Sequence, residues 1–127
     1  MPRKSVQKPK LRKVLIIEDE ADMCLLLNIL LEGKEMEIDH VKSLVKAQEY
    51  LSETSPDVVL LDNKLPDGFG VDFVQYIKKN YPLVKVVMIS GFDPSASDAA
   101  IENGADRFLT KPFTRDQLLH SIKGVLN

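Results

Sequence analysis

At 127 residues and 44% hydrophobic content the chain is long enough to build one core without staples, and its single cysteine excludes an intrachain disulfide. The formal net charge of −2 hides an asymmetry: Arg3, Lys4, Lys8, Lys10, Arg12 and Lys13 precede the first acid, Glu18, leaving 11 cations against 19 carboxylates, a net −8, in the rest. No secretory apolar segment follows Met1 and no apolar stretch approaches about 20 residues, which argues against export and membrane spanning and makes the cytoplasm the expected location.

Residues 1–11 read as a flexible basic arm. They lack the interleaved aromatics or apolar stripe of a nucleic-acid or lipid-binding segment, so a solvated terminus is expected, with no direct nucleic-acid binding. From residue 12 to 127, strand-like and helix-like stretches alternate, the pattern of βαβ units and a parallel sheet in one domain. The run Val14-Leu15-Ile16-Ile17 predicts a buried strand near 13–18. A helix near 21–32 follows, with Leu25, Leu26, Ile29 and Leu30 at helical spacing and Cys24 as packing. A more polar strand near 36–41 (Met36, Ile38, Val41) suits a sheet edge.

Ser43 is a candidate N-cap for a second helix that places Leu44, Ala47 and Leu51 on one face and stops before Pro56. Val58-Val59-Leu60-Leu61 predicts a strand buried on both faces. The turn-forming stretch Asn63-Lys64-Leu65-Pro66-Asp67-Gly68 leads into a third helix with Val71, Val74 and Ile77 inward, ending at Asn80-Tyr81-Pro82. A strand near 84–89 is followed by a weaker helix with Asp93 as cap, Pro94 at its first position and Asn103-Gly104 at its end. Arg107-Phe108-Leu109 supplies a last strand, and Thr114 with Gln117 a capping box for a fifth helix carrying Leu118, Ile122 and Val125.

Three of these strands end in oxygen-bearing side chains: Glu18-Asp19-Glu20, Asp62 and Ser90. Parallel α/β sheets gather such ends at one edge, where ligands bind. Carboxylates about 4 Å apart repel by roughly 4 kcal/mol at an effective dielectric of 20, so the cluster calls for a cation. Hard oxygen ligands in this number suit Mg²⁺. His40 and His120 fall in unrelated elements and give no support for zinc. Removing a divalent ion should raise at least one carboxylate pKa, and adding Mg²⁺ should raise the unfolding midpoint.

Asp62 closing the third strand, Ser90 closing the fourth and Lys111 before Pro112 after the fifth together resemble the receiver domain of two-component response regulators over residues 12 to 126. The resemblance implies a (βα)5 doubly wound fold with a five-stranded parallel sheet of order 2-1-3-4-5 and helices on both faces. It implies Asp62 as phosphoacceptor, with Mg²⁺ held by Glu18, Asp19, Asp62 and the backbone carbonyl of Lys64. Ser90 would hydrogen-bond the phosphoryl group, Lys111 would neutralise it, and the Lys111–Pro112 peptide would be cis. Ser90 and Phe108 would form the switch, although core packing explains Phe108 as well. The pair Glu18-Asp19 departs from the family's Asp-Asp, and Lys64 places an ammonium near the acceptor.

The function so implied is a Mg²⁺-dependent phosphorelay switch. Its partners would be a sensor histidine kinase or histidine phosphotransfer protein upstream, and downstream an effector protein or a missing C-terminal output domain, with homodimerisation on activation left open. It would be no enzyme beyond its own phosphoryl transfer and slow autodephosphorylation. Two alternatives stand beside it. One is a phosphorylation-independent pseudo-receiver that only binds; the other is a small Mg²⁺-dependent phosphohydrolase with Asp62 as nucleophile, for which Lys64 occupies a position that wants an acid.

Overall fold

The computed structural model describes residues 11–91 and 93–126, so residues 1–10 of the basic arm lie outside it. Among the described residues seven strands and five helices follow in chain order: β1 Arg12–Ile17, α1 Ala21–Leu31, β2 Met36–Val41, α2 Leu44–Glu53, β3 Val58–Asp62, β4 Lys64–Leu65, β5 Gly68–Phe69, α3 Gly70–Asn80, β6 Lys85–Ser90, α4 Pro94–Glu102, β7 Arg107–Thr110 and α5 Arg115–Leu126. Five strands form one parallel sheet of order β2-β1-β3-β6-β7. This is the predicted 2-1-3-4-5 arrangement, because β4 and β5 stand apart as a two-stranded antiparallel hairpin. The hairpin was not foreseen; the sequence reads there only as a turn.

Alternation along the strands divides the core between the two faces of the sheet. Val14, Ile16, Val58, Leu60, Val87 and Ile89 pack with Cys24, Leu27 and Leu31 of α1 and with Leu118, Ile122 and Val125 of α5. Leu15, Ile17, Val59, Leu61, Val86 and Met88 pack with Ala47 and Leu51 of α2, Phe73, Val74 and Ile77 of α3, and Ala100 of α4. Helices on both sides bury every residue of β3, which accounts for its unbroken apolar run. The edge strand β2 has no fully buried residue, as its polar alternation predicts.

The inward face of α1 differs from expectation. Cys24, Leu27 and Leu31 are buried, whereas Leu25, Leu26 and Ile29 are 61%, 41% and 55% exposed. Apolar residues surround this helix on nearly every side, so spacing alone does not select the face. Other local signals match. Ser43 Oγ accepts the Lys46 N–H at 3.1 Å, Asp93 Oδ1 accepts the Ala96 N–H at 3.2 Å, and Thr114 and Gln117 cap one another at 2.9 and 3.1 Å. Gly104 ends α4 at φ +107°, a left-handed turn that a side chain would strain. Among the described residues no helix is long and apolar enough to cross a membrane.

Candidate functional site

Strand register assembles the site. Ile17 pairs with Leu61, Asp62 with Ile89, and Ser90 with Thr110, so the residues that end β1, β3, β6 and β7 emerge side by side at the carboxyl edge. Chain order reverses direction between β1 and β3, because β2 lies to one side of β1 and β3 to the other. Open α/β sheets gape at such a point. A cleft of ≈ 450 Å³ lies there, lined by Asp19, Glu20, Asp62, Asn63, Lys64, Ser90, Gly91, Asp93 and Lys111.

Carboxylate oxygens of Glu18, Asp19 and Asp62 lie within 4.8 Å of one another. Glu18 and Asp62 are buried at 2% and 8% exposure, while Asp19 is exposed. Lys111 Nζ stands 3.2 Å from Asp62 Oδ1 and 3.7 Å from Glu18 Oε1. One ammonium thus serves two buried acids, and among the described residues neither has another cationic partner. Ser90 lies at the end of β6, and its carbonyl accepts the Lys111 N–H at 2.7 Å. The Lys111–Pro112 peptide is cis. Phe108 is half-buried, packed on the α2–α4 side of the core, and borders a second groove with Asp93, Pro94, Ser97, Asp98 and Thr110.

Burial drives the Glu18 carboxyl pKa up to about 7, and the neighbouring Asp62 charge adds to the rise; the Glu20 N–H and Lys111 oppose it without cancelling it. A carboxyl that resists ionisation beside a second and third carboxylate marks a place short of positive charge. The donor set is all hard oxygen, which fits Mg²⁺ and not a soft metal. Glu18, Asp19 and Asp62 are the side chains that would hold the ion.

The raised Glu18 pKa has a stability consequence with a definite sign. Between about pH 4.5 and 7 the folded chain keeps a proton that the unfolded chain has lost, so stability falls as pH rises through that window. Glu18→Gln removes the ionisation. In divalent-free buffer the variant should gain on the parent by on the order of 3 kcal/mol as pH rises from 4.5 to 8, read by urea unfolding. A difference independent of pH would show that the Glu18 charge is not strained.

Sequence reasoning reads Cys24 as packing, as its burial bears out, and assigns no site role to several neighbours of the site. His40 Nε2 lies 2.9 Å from the Glu18 carbonyl and 2.7 Å from Cys24 Sγ. Because a carbonyl only accepts, Nε2 carries the hydrogen in that bond. Cys24 Sγ also reaches the Glu18 carbonyl, at 3.5 Å. Its thiol is pushed up to about 11 by burial and by the Glu18 charge, which disfavours the reactive thiolate at neutral pH. Asn63 braces the acceptor loop: its carbonyl accepts the Gly70 N–H at 2.7 Å and its Oδ1 the Val71 N–H at 3.1 Å. The β1–β2 register puts His40 opposite Ile16, a relation that only pairing reveals.

Comparison with known proteins agrees with this architecture. The response regulator receiver domain family matches residues 14–123. The response regulator protein PilR of Pseudomonas aeruginosa is 37% identical over 116 residues, covering 91% of this chain and 26% of PilR. The phosphate regulon transcriptional regulatory protein PhoB of Escherichia coli is 31% identical over 118 residues, covering 91% of this chain and 52% of PhoB. The beryllofluoride-activated NtrC4 receiver domain dimer superimposes with a TM-score of 0.84 at 35% identity, over 90% of this chain and 95% of that one. This chain therefore spans about a quarter to a half of those curated relatives' length. With a matching family over nearly its whole length and a doubly wound sheet that gathers three carboxylates and a lysine at its switch point, the chain belongs to the response regulator receiver domains.

Proposed function

We propose that this receiver is switched by phosphorylation: it takes a phosphoryl group from a phosphohistidine donor onto Asp62 in a Mg²⁺-dependent reaction and thereby alters a partner-binding face made of α4, β7 and α5. The observation that carries the reading is the pairing of Lys111 Nζ with Asp62 Oδ1 at 3.2 Å inside an acidic cleft open to solvent. Asp62 is buried enough to be held in one orientation and open enough at its tip to meet a donor.

Asp62 Oδ attacks phosphorus and the bond from phosphorus to the donor nitrogen breaks; the electron pair stays on that nitrogen, and the donor, already protonated on its other ring nitrogen, leaves as neutral imidazole. The product is an acyl phosphate. Bound Mg²⁺ would supply charge neutralisation and orientation for the phosphoryl oxygens. Lys111, hydrogen-bonded to Asp62 Oδ1, would support the same charge and restrain the Asp62 carboxylate. Ser90, at the end of β6 and on the cleft wall, would donate its hydroxyl to a phosphoryl oxygen. A group bearing about −1.5 to −2 charges would draw Ser90 toward it. Phe108, a residue of β7, would turn into the space released.

Residues 12–127 would constitute the domain and residues 1–11 a solvated arm, in a protein working in the cytoplasm. The donor would be a sensor histidine kinase or a histidine phosphotransfer protein, and the recipient of the signal an effector protein or an output domain.

Incubation with a small phosphodonor tests the proposal. One phosphoryl group per chain should appear by intact mass in millimolar Mg²⁺, be lost in excess EDTA and be released by hydroxylamine, as an acyl phosphate is. Labelling indifferent to EDTA, or resistant to hydroxylamine, would overturn it. Turnover of unrelated phosphate esters would point to a phosphohydrolase instead.

A further inference from the structure

The hairpin between β3 and α3 carries Asn63 and Lys64 on the wall of the cleft, yet it is short: two residues in β4 and two in β5. So small a ribbon is not stable by itself. Its tip is fastened elsewhere. Asp67 reaches across to the start of α2, where its Oδ1 accepts the Leu44 N–H and its Oδ2 the Val45 N–H, both at 2.9 Å. Those two donors belong to the first turn of the helix, which leaves them without intrahelical acceptors. The helix's own cap, Ser43, takes a different donor, the Lys46 N–H. The two bonds lower the Asp67 pKa, so its carboxylate is charged at neutral pH and both contacts are charge-assisted. Gly68 lies against the Leu44 side chain at the same junction.

We propose that Asp67 is a positioning residue for the phosphoacceptor site: by tying the hairpin tip to α2 it fixes the Lys64 backbone where a divalent ion would meet it. The inference rests on the function proposed above. It goes beyond it in assigning the metal affinity of the loop to a carboxylate at the tip of the hairpin, outside the cleft lining. The mechanism is mechanical. With Asp67 bound, the hairpin is held at both ends, by the Asn63–Gly70 bond at its base and by α2 at its tip. With Asp67 cut away, the polar tie at the tip is lost and only the Gly68–Leu44 contact and the bonds at the base remain, so the Lys64 carbonyl must be ordered further when the ion binds.

Residues outside the ligand shell that orient ligands commonly change metal affinity by about 10- to 100-fold; acting through four residues of backbone, Asp67→Ala should raise the Mg²⁺ dissociation constant on the order of fivefold. Isothermal titration with MgCl2 on the full chain reads this without any phosphoryl donor. Asp67→Asn keeps one acceptor oxygen and should fall between the two. Ser43→Ala removes the cap of the same helix without touching the hairpin and should bind Mg²⁺ like the parent. Labelling by a small phosphodonor should show the half-saturating Mg²⁺ concentration shifted in Asp67→Ala, with the rate at saturating Mg²⁺ retained. Equal Mg²⁺ affinity in Asp67→Ala and the parent would overturn the inference, as would an equal loss in Ser43→Ala, which would reduce the effect to helix stability. A parent that binds Mg²⁺ but takes no label would overturn the proposed function alone, and the Asp67 inference would still stand or fall on the titration.

Discussion

Asp62→Asn should take up no phosphoryl group from any donor, its rate falling by on the order of 10⁴ or more and hence below detection. The carboxamide occupies the same volume at the end of β3 but has no anionic oxygen to attack phosphorus, so the loss is chemical and not structural. Folding should improve. Asp62 is the second cause of the raised Glu18 pKa, after burial, and its neutralisation leaves Lys111, 3.7 Å from Glu18, to a single acid. In divalent-free buffer at pH 8 the variant should unfold at higher urea than the parent. Removing a site's charge and gaining stability is the mark of a cluster arranged for a ligand. The decisive measurement is intact mass after donor treatment: hydroxylamine-resistant label persisting in Asp62→Asn would place the acceptor on another group, such as Ser90, and dismantle the assignment.

Much of the fold was legible because buried parallel strands leave a signature that needs no context. Val14–Ile17, Val58–Leu61 and Val86–Ile89 are continuous apolar runs, and each proved to be buried throughout. Caps at Ser43, Asp93 and Thr114 were legible for the same reason: each is settled by residues three positions apart. The face of α1 was not. With Leu25, Leu26, Leu27, Ile29, Leu30 and Leu31 in one short helix, several stripes satisfy helical spacing, and the sheet selects one of them. The hairpin escaped as well, since strands of two residues carry no alternation to read.

The candidate site divides along the same line. Asp62 and Ser90 close a strand, and Glu18, Asp19 and Lys111 lie one or two residues past one, so the parallel order alone brings them to one edge. His40, Asn63 and Asp67 owe their places to register and to turns. His40 meets the Glu18 carbonyl because β2 pairs with β1 in one register and not its neighbour. Asp67 meets α2 across 23 residues of sequence. Residues placed by local pattern could be named in advance; residues placed by the meeting of two elements could not.

Gly70→Ala should cost about 3 kcal/mol of stability, at the upper end for overpacking, because the added carbon has nowhere to go. A Cβ at Gly70 would collide with the Asp62 backbone carbonyl, and it would also stand 3.0 Å from Leu61 Cγ and 3.1 Å from the Asp62 carbonyl carbon. Backbone strain is not the cause, since the Gly70 φ is not positive. Neither obstacle can swing aside: Asp62 is held in register opposite Ile89, and Leu61 sits at the centre of the core. Relief must come from moving α3 away from β3, which stretches the Gly70 N–H bond to the Asn63 carbonyl and drags the acceptor loop with it. Phosphorylation should therefore slow even after correction for the folded fraction. Two companion substitutions calibrate the effect. At Gly124 the new carbon meets only the Arg107 guanidinium, the far end of a flexible side chain, so Gly124→Ala should cost less than about 1 kcal/mol. At Gly91, beside the cleft, nothing lies within 4 Å, and Gly91→Ala should be neutral or slightly stabilising through the unfolded chain. Urea unfolding of the three variants in the same buffer gives the order directly. If Gly70→Ala unfolds no more easily than Gly91→Ala, the close approach of α3 to the phosphoacceptor strand is wrong, and with it the rigidity on which the aim of Asp62 depends.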